Sequence, residues 1–381
     1  MSVLVVGASA AGLTTVEALR RKGFRDQVTV LGAEWHPPYD RPPLSKQFLR
    51  GDWDEDRTRL RPEAMLSALD ASFVLGDSAV AFDSGSRTVT TASGRTLTAD
   101  AVVIATGLTP RRLPGVQPDG VHVLRTLDDA AALRKDFAAA KRLVVVGDGV
   151  LGAEIAATAR KMGLAVTMAG PQTVPLESQL GPMIGGLLAE LHRSEGVELR
   201  LGTAVIGLTD RDGRVSGVQL ADGNVLPAEV VVVALGATPA TEWLSGSGLV
   251  IDNGVVCDAC CRAADGVYAV GDVARWPYED VLIRLENRTN ATEQALCVAD
   301  NFLGADRPYA PVPYFWTDQF AAKLQVHGRP AADAEVVVAE GNLEDGRFVA
   351  HYRRGGRVVA VLGWNLPKQT RLHRGQHLGP A

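Results

Sequence analysis

The chain begins with a short apolar run, Val3-Leu4-Val5-Val6, that stops at Gly7. Gly7-Ala8-Ser9-Ala10-Ala11-Gly12 follows, then a helix-like run to Lys22 and a second apolar run, Val28-Thr29-Val30-Leu31. The same pattern returns as Leu143-Val144-Val145-Val146, Gly147-Asp148-Gly149-Val150-Leu151-Gly152, a helix-like run to Met162, and Ala165-Val166-Thr167-Met168. Each copy reads as strand, glycine turn, helix, strand. Unbroken apolar strands are buried on both faces, as in parallel sheets. The repeat therefore predicts two doubly wound α/β modules.

Two further apolar runs end in glycine, Ala101 to Gly107 and Val230 to Gly236. They place the second module inside the first, at about residues 109–239, with the first resuming near 240. Pro308 to Pro313 mark a linker. Beyond it, alternation in Glu335–Val338, Phe348–Tyr352 and Val358–Val361 predicts a small α+β C-terminal domain, mostly antiparallel. The expected division is 1–108 with 240–310, then 109–239, then 311–381.

The glycine turns carry a chemical implication. The first glycine permits the turn, the second admits a pyrophosphate, and the third packs helix on strand. The helix start then offers free N–H groups and partial positive charge to phosphates. Ser9 stands where the first turn would usually have its middle glycine. Two such turns in one chain make a far stronger dinucleotide signal than one.

Composition narrows the setting. At 381 residues, with 46% hydrophobic and 22% charged residues, the chain has material for more than one core. The net charge of −5 argues against a nucleic-acid partner. No apolar stretch reaches the ~18–20 residues that span a bilayer, so no membrane partner is expected. Met1-Ser2 leads directly into Val3 without a basic segment, which is read as no signal peptide and a cytoplasmic protein. The four cysteines are Cys257, Cys260, Cys261 and Cys297. Cys257-x-x-Cys260 lacks a second ligand pair for zinc, and it follows an apparent strand, Leu249 to Val256, where a redox dithiol wants a helix start. The thiols are read as structural, and no metal site is expected.

Several short stretches converge on one family. They are Tyr39-Asp40-Arg41-Pro42-Pro43-Leu44-Ser45-Lys46, Ala105-Thr106-Gly107, Leu124-Arg125-Thr126-Leu127-Asp128-Asp129-Ala130, Tyr268-Ala269-Val270-Gly271-Asp272 and Pro313-Tyr314-Phe315-Trp316-Thr317-Asp318-Gln319. In this order the whole chain resembles the FAD-dependent ferredoxin reductases of bacterial oxygenase systems, within the glutathione-reductase-like flavoproteins. The resemblance implies a flavoprotein that passes electrons from NADH, with NADPH left open, through FAD to a [2Fe-2S] ferredoxin. It implies a monomer or a homodimer.

The resemblance also assigns residues. Gly7, Ser9, Ala11 and Gly12 would hold the FAD pyrophosphate, and Glu34 the adenosine ribose, where a carboxylate accepts two strong hydrogen bonds. Arg41, Lys46, Ala79, Ala105, Thr106, Gly107, Arg125, Gly271 and Asp272 would surround the cofactor, with Trp316 covering the flavin. Taken singly, Glu34 is a loop acid, Arg41 and Lys46 are surface charges, and Trp316 is a core tryptophan. Gly147, Gly149, Leu151, Gly152 and Gly236 would receive the nicotinamide dinucleotide. Glu154, placed on the first turn of its helix, would work with Lys46 as a catalytic ion pair beside the nicotinamide.

Two departures stand out. The family's ribose-holding acid at the end of the second module's second strand is replaced by Gly170, followed by Pro171 and Gln172. No Arg or Lys lies between Lys161 and Arg193 to welcome a 2′-phosphate. A weak grip on NADH is therefore expected, with NADPH no better, and Gly170→Glu is expected to restore it. The other departure is Glu286-Asn287-Arg288-Thr289-Asn290-Ala291, where Arg288 replaces an aromatic residue of the family pattern. These departures keep alive a flavoenzyme recruited to a small-molecule or NADH oxidase reaction. A redox-gated, DNA-binding relative is disfavoured by the net charge of −5. Arg353, Arg354, Arg357, Lys368, Arg371 and Arg374, with no acid after Arg347, read as a solvated face or as a surface for an acidic ferredoxin.

Overall fold

The computed structural model describes residues 1–379. Strand β1 (Val3–Val6) is buried throughout and leads into helix α1 (Ala10–Arg21) and strand β2 (Val28–Gly32). β1 lies between β2 and β3 (Ala101–Ile104), parallel to both, with Val6 opposite Leu31 and Ile104. Ser72–Leu75 extends this sheet beyond β2, and Val267–Ala269 and Arg262–Ala264 extend it beyond β3. The chain order is that of a doubly wound sheet.

The second copy forms its own sheet. Strand β4 (Arg142–Val146), helix α2 (Val150–Lys161) and strand β5 (Ala165–Gly170) repeat the first unit, with Val146 opposite Ala169. β4 also pairs in parallel with β6 (Val230–Val233). The two passages between the sheets, Leu108–Pro110 and Ala237–Pro239, pair antiparallel with each other.

The glycine turns are dictated by contact. A Cβ on Gly12 would stand 1.9 Å from the Gly7 carbonyl oxygen, and one on Gly152 would stand 2.2 Å from that of Gly147. Gly7 and Gly147 have φ of +123° and +127°, which side chains rarely adopt. Each helix therefore sits directly on its strand, with its N-terminus beside the turn.

Helix α3 (Arg288–Phe302) packs on α1. The remaining chain forms a five-stranded antiparallel sheet containing β7 (Tyr314–Gln319), Ala322–Gly328, Glu335–Asn342, β8 (Arg347–Arg354) and Arg357–Trp364. Helix α4 (Pro367–His377) closes that sheet. One apolar cluster unites Leu44, Phe48 and Leu49 with Ile155 and Ala156 of α2 and with Leu324 and Phe348 of the small sheet. Burying each such side chain contributes roughly 1.5–3 kcal/mol. This shared core fixes the position of the small sheet against both modules.

Two local expectations need correction. The apparent strand Leu249 to Val256 is regular only at Val255–Val256, because the preceding residues turn back through an Ile251–Val255 bridge. Glu154 belongs to the second turn of α2, since Gly149 is the N-cap and Val150 the first helical residue.

Candidate functional site

Two clefts meet where the sheets and the small domain converge. The first, of about 490 Å³, is lined by Gly7, Ser9, Glu34, Arg41, Ala79, Ala105 and Thr106 among others. The second, of about 810 Å³, shares Ser9, Arg41 and Ala105 with it and continues past Ala11, Lys46, Gly107, Arg125 and Asp272. It then reaches Gly147, Gly149, Leu151, Glu154 and Gly236, with Trp316 and Phe315 on one wall. Gly12, Gly152 and Gly271 line neither cleft. The first two serve helix packing, and Gly271, at φ +74°, lies against Ala11 and Ala291.

The clefts fit two dinucleotides. Neither Ser9 nor Gly149 caps its helix with a side-chain hydrogen bond, and neither α1 nor α2 has an acid in its first turn. Their free N–H groups suit phosphates. In the first cleft Glu34 is held from behind: Tyr39 donates its hydroxyl to Glu34 Oε2 at 2.5 Å, and Arg41 Nη2 donates to Oε1 at 2.8 Å. Arg41 also donates to the Arg125 carbonyl at 2.5 Å, and Leu127 N–H donates to the Tyr39 hydroxyl at 3.0 Å. Burial pushes the Tyr39 hydroxyl pKa up, so it stays a donor.

Arg125 and Asp272 face each other at 3.4 Å in the second cleft. Burial, then the neighbouring Arg41 charge, pushes the Arg125 guanidinium below its ordinary value. Burial pushes the Asp272 carboxyl up. Both are hydrogen-bonding groups on the wall of the second cleft.

Lys46 and Glu154 form a largely buried pair in the lining of the second cleft. Lys46 Nζ lies 2.6 Å from Glu154 Oε2, with their side chains 14% and 7% exposed. Ser45 Oγ donates to the same oxygen at 2.6 Å, and Thr317 Oγ1 donates to Oε1 at 3.0 Å. Thr158 of α2 donates to the Ser45 carbonyl at 2.7 Å. The glutamate is thus gripped by the proline-rich segment and by β7, while Thr158 of its own helix fixes Ser45. Trp316, beside Thr317, stacks on Tyr314 with centroids 5.9 Å apart.

The end of β5 revises the expectation about Gly170. Counting from the paired positions Leu31 and Ala169, Gly170 corresponds to Gly32 and Gln172 to Glu34. A Cβ on Gly170 would lie 2.2 Å from Asp148 Oδ2. The place is taken by a carboxylate from the glycine turn. Asp148 is buried, and it accepts from Gln172 N at 2.9 Å and from Gln172 Nε2 at 2.5 Å. Gly170→Glu would collide with Asp148, so it would not restore a missing acid. The φ of Gly170 is not positive, so the restriction is steric.

Arg288 is also accounted for. Its Nε donates to Asp40 Oδ1 at 2.8 Å and it bonds Thr292 on its own helix, so its charge is neutralised at the cleft edge. The cysteines are free. Burial pushes the Cys257 thiol up to about 12, which fits a structural role.

Sequence reading missed Tyr39, Ser45 and Thr317 as individuals, although all three lie in stretches it singled out. It missed Asp148 for lack of any rule giving the residue after a turn's first glycine a polar role.

Comparison with known proteins identifies the family. Residues 1–295 match the pyridine nucleotide-disulphide oxidoreductase family, and residues 314–376 match the reductase C-terminal domain. Rhodocoxin reductase of Rhodococcus erythropolis is 36% identical over 373 residues, covering 97% of this chain and 87% of that protein. Putidaredoxin reductase of Pseudomonas putida is 34% identical over 377 residues, covering 96% and 89%. The ferredoxin reductase for the CYP199A2 system of Rhodopseudomonas palustris superposes with a TM-score of 0.94 at 32% identity, covering 98% of this chain and 93% of that one. The reductase in the covalent putidaredoxin reductase–putidaredoxin complex gives 0.93 at 33% identity, covering 98% and 91%. The chain is an NAD(P)H-dependent oxidoreductase of the pyridine nucleotide-disulphide class. Within that class it belongs to the ferredoxin reductases of oxygenase systems.

Proposed function

We propose that this protein holds FAD in the first cleft and the adjoining part of the second, takes electrons from NADH, and passes them to a [2Fe-2S] ferredoxin. The observation that carries the proposal is the Lys46–Glu154 pair, which lines the second cleft together with Ser9 and Ala11 of the first glycine turn and Gly147 and Gly149 of the second. Bound there, FAD supplies the conversion of a two-electron hydride transfer into single-electron delivery.

The protein's own residues bind, orient and exclude water. The α1 N-terminus and Ser9 receive the FAD phosphates, and Glu34, braced by Tyr39 and Arg41, accepts from the ribose hydroxyls. Arg125 and Asp272 hold the polar part of the flavin end. The α2 N-terminus receives the second pyrophosphate. Lys46 and Glu154 orient the nicotinamide, and Trp316, with Phe315 on the same wall, covers the flavin region. Such alignment supplies much of the rate without any nucleophile.

Asp148 and Gln172 read the adenosine ribose of the nicotinamide cofactor. A fixed carboxylate accepts from two hydroxyls and repels a 2′-phosphate. The cations lining the second cleft are Arg41, Lys46, Arg125, Arg284 and Arg288, none of them from the stretch between Gly147 and Gln172 that lines its nicotinamide side. NADH is therefore the preferred donor.

The division 1–108 with 240–310, 109–239 and 311–381 is part of this reading, supported by the paired passages between the sheets. So is a cytoplasmic setting: the four cysteines are free, as a reducing compartment would keep them. No helix among the described residues is long and apolar enough to cross a membrane.

The test is anaerobic mixing of the purified yellow protein with NADH or NADPH. NADH should bleach the flavin at lower concentration than NADPH, and denaturation should release FAD. Release of FMN, or a preference for NADPH, would overturn the assignment.

A further inference from the structure

The small sheet and its helix hold a histidine cluster that electron transfer does not use. His373 and His377 lie four residues apart on α4, hence on one face and one turn apart. His351 reaches them from β8, buried, while His373 is partly covered and His377 exposed. One ligand nitrogen from each lies within 4.8 Å of the other two. His351 Nε2 stands 2.8 Å from His373 Nδ1, and the His351 ring centroid lies 4.6 Å from that of His377. Among the described residues this is the one such cluster.

We propose that His351, His373 and His377 bind one zinc ion, with water completing a tetrahedral site. Three imidazoles suit zinc better than calcium or magnesium, which prefer oxygen. Ligands at about 2.0–2.1 Å from the metal place neighbouring nitrogens roughly 3.3 Å apart. The His351–His373 spacing needs to open only slightly, and the exposed His377 is free to swing inward.

The tautomers are already arranged for it. His373 Nε2 lies 3.0 Å from Glu340 Oε2, so the proton on that side is held by a carboxylate and the Nδ1 lone pair faces the cluster. This is the support that metal-binding histidines usually have. His373 Nδ1 then accepts, so His351 Nε2 carries the shared proton in the metal-free protein. His351 Nδ1 is buried with no partner, and it takes a proton when Nε2 turns to the metal. Arg353 opposes a cation here, and Glu340 offsets it. The ion would tie the end of α4 to β8.

The experiment uses the full-length flavin-loaded protein, stripped with EDTA, desalted, and titrated with Zn²⁺ against a coloured chelator. The expected result is one equivalent bound with submicromolar affinity. His351→Asn and His373→Ala should each weaken binding at least about 100-fold, and Glu340→Gln by about 10–100-fold. His377→Ala alters an exposed position, so its loss of binding cannot be blamed on a collapsed core. Retained flavin absorbance checks the fold of each variant. Absence of saturable uptake would overturn the proposal. So would uptake that survives His351→Asn unchanged, since the exposed helix pair alone would then be binding adventitious metal.

Discussion

The sharpest consequence of the fold concerns Asp148 and Gly170, and a double-mutant cycle tests it. Asp148→Gly removes the carboxylate that fills the space beside Gly170. Each charged hydrogen bond it makes to a ribose hydroxyl is worth about 1.5–3 kcal/mol, so losing one should raise the KM for NADH roughly 10–150-fold. The nicotinamide end is untouched, so kcat should hold. Gly170→Glu alone places a Cβ 2.2 Å from Asp148 Oδ2 and 2.6 Å from its Cγ. Asp148 must then leave its two bonds to Gln172, with a like charge beside it. NADH binding should weaken, together with a loss of thermal stability. The double variant clears the space and supplies the acid from the strand end, so its KM should return toward the unmodified value. Opposite signs for Gly170→Glu in the two backgrounds are the signature of coupling. The assay is anaerobic stopped-flow flavin reduction across a range of NADH concentrations. Tighter NADH binding in Gly170→Glu alone, or no change in Asp148→Gly, would refute the reasoning.

Other expectations follow from single contacts. Glu34→Ala should weaken FAD retention about 10–150-fold, measured by flavin release on dilution, because Tyr39 and Arg41 lose their acceptor along with the ribose. Glu154→Gln leaves Lys46 buried without its counter-charge; breaking such a pair costs about 3–5 kcal/mol. The melting temperature should fall, and misalignment should slow flavin reduction by about 10²-fold in single turnover. Cys257→Ser should leave turnover unchanged, since its thiol is buried and protonated. His327, pushed down to about 4 by burial and by Arg374 and Arg371, is neutral in the fold. The stability it gives is complete above its unfolded value near 6.5 and declines as pH falls toward 4. His327→Phe should flatten the melting temperature across that interval.

The repeated apolar runs disclosed both parallel sheets, because a strand buried on two faces admits few polar residues. The glycine turns were legible for the same kind of reason: contacts at 1.9 Å and 2.2 Å leave no room for side chains at Gly12 and Gly152. The Lys46–Glu154 pair was legible only through family resemblance, since a partner 108 residues away leaves no periodic trace. Tyr39 and Thr317 act as braces behind Glu34 and Glu154, and a bracing contact depends on packing across elements. Asp148 was the costliest omission. Strand-by-strand reading treats position 170 in isolation, whereas the structure sets it against a turn residue 22 positions earlier. The strand expected over Leu249 to Val256 failed because apolar residues there fold back in a turn.

The central claim is that electrons enter as hydride from NADH and leave singly to a ferredoxin. Its most direct test is rapid mixing of the NADH-reduced protein, under argon, with an oxidised [2Fe-2S] ferredoxin from an oxygenase system related to those of the relatives. The account predicts loss of the ferredoxin's visible absorbance as the flavin reoxidises, with two ferredoxins reduced per NADH consumed. A flavin that NADH reduces but that gives its electrons only to oxygen or a small molecule, leaving every such ferredoxin oxidised, would contradict it.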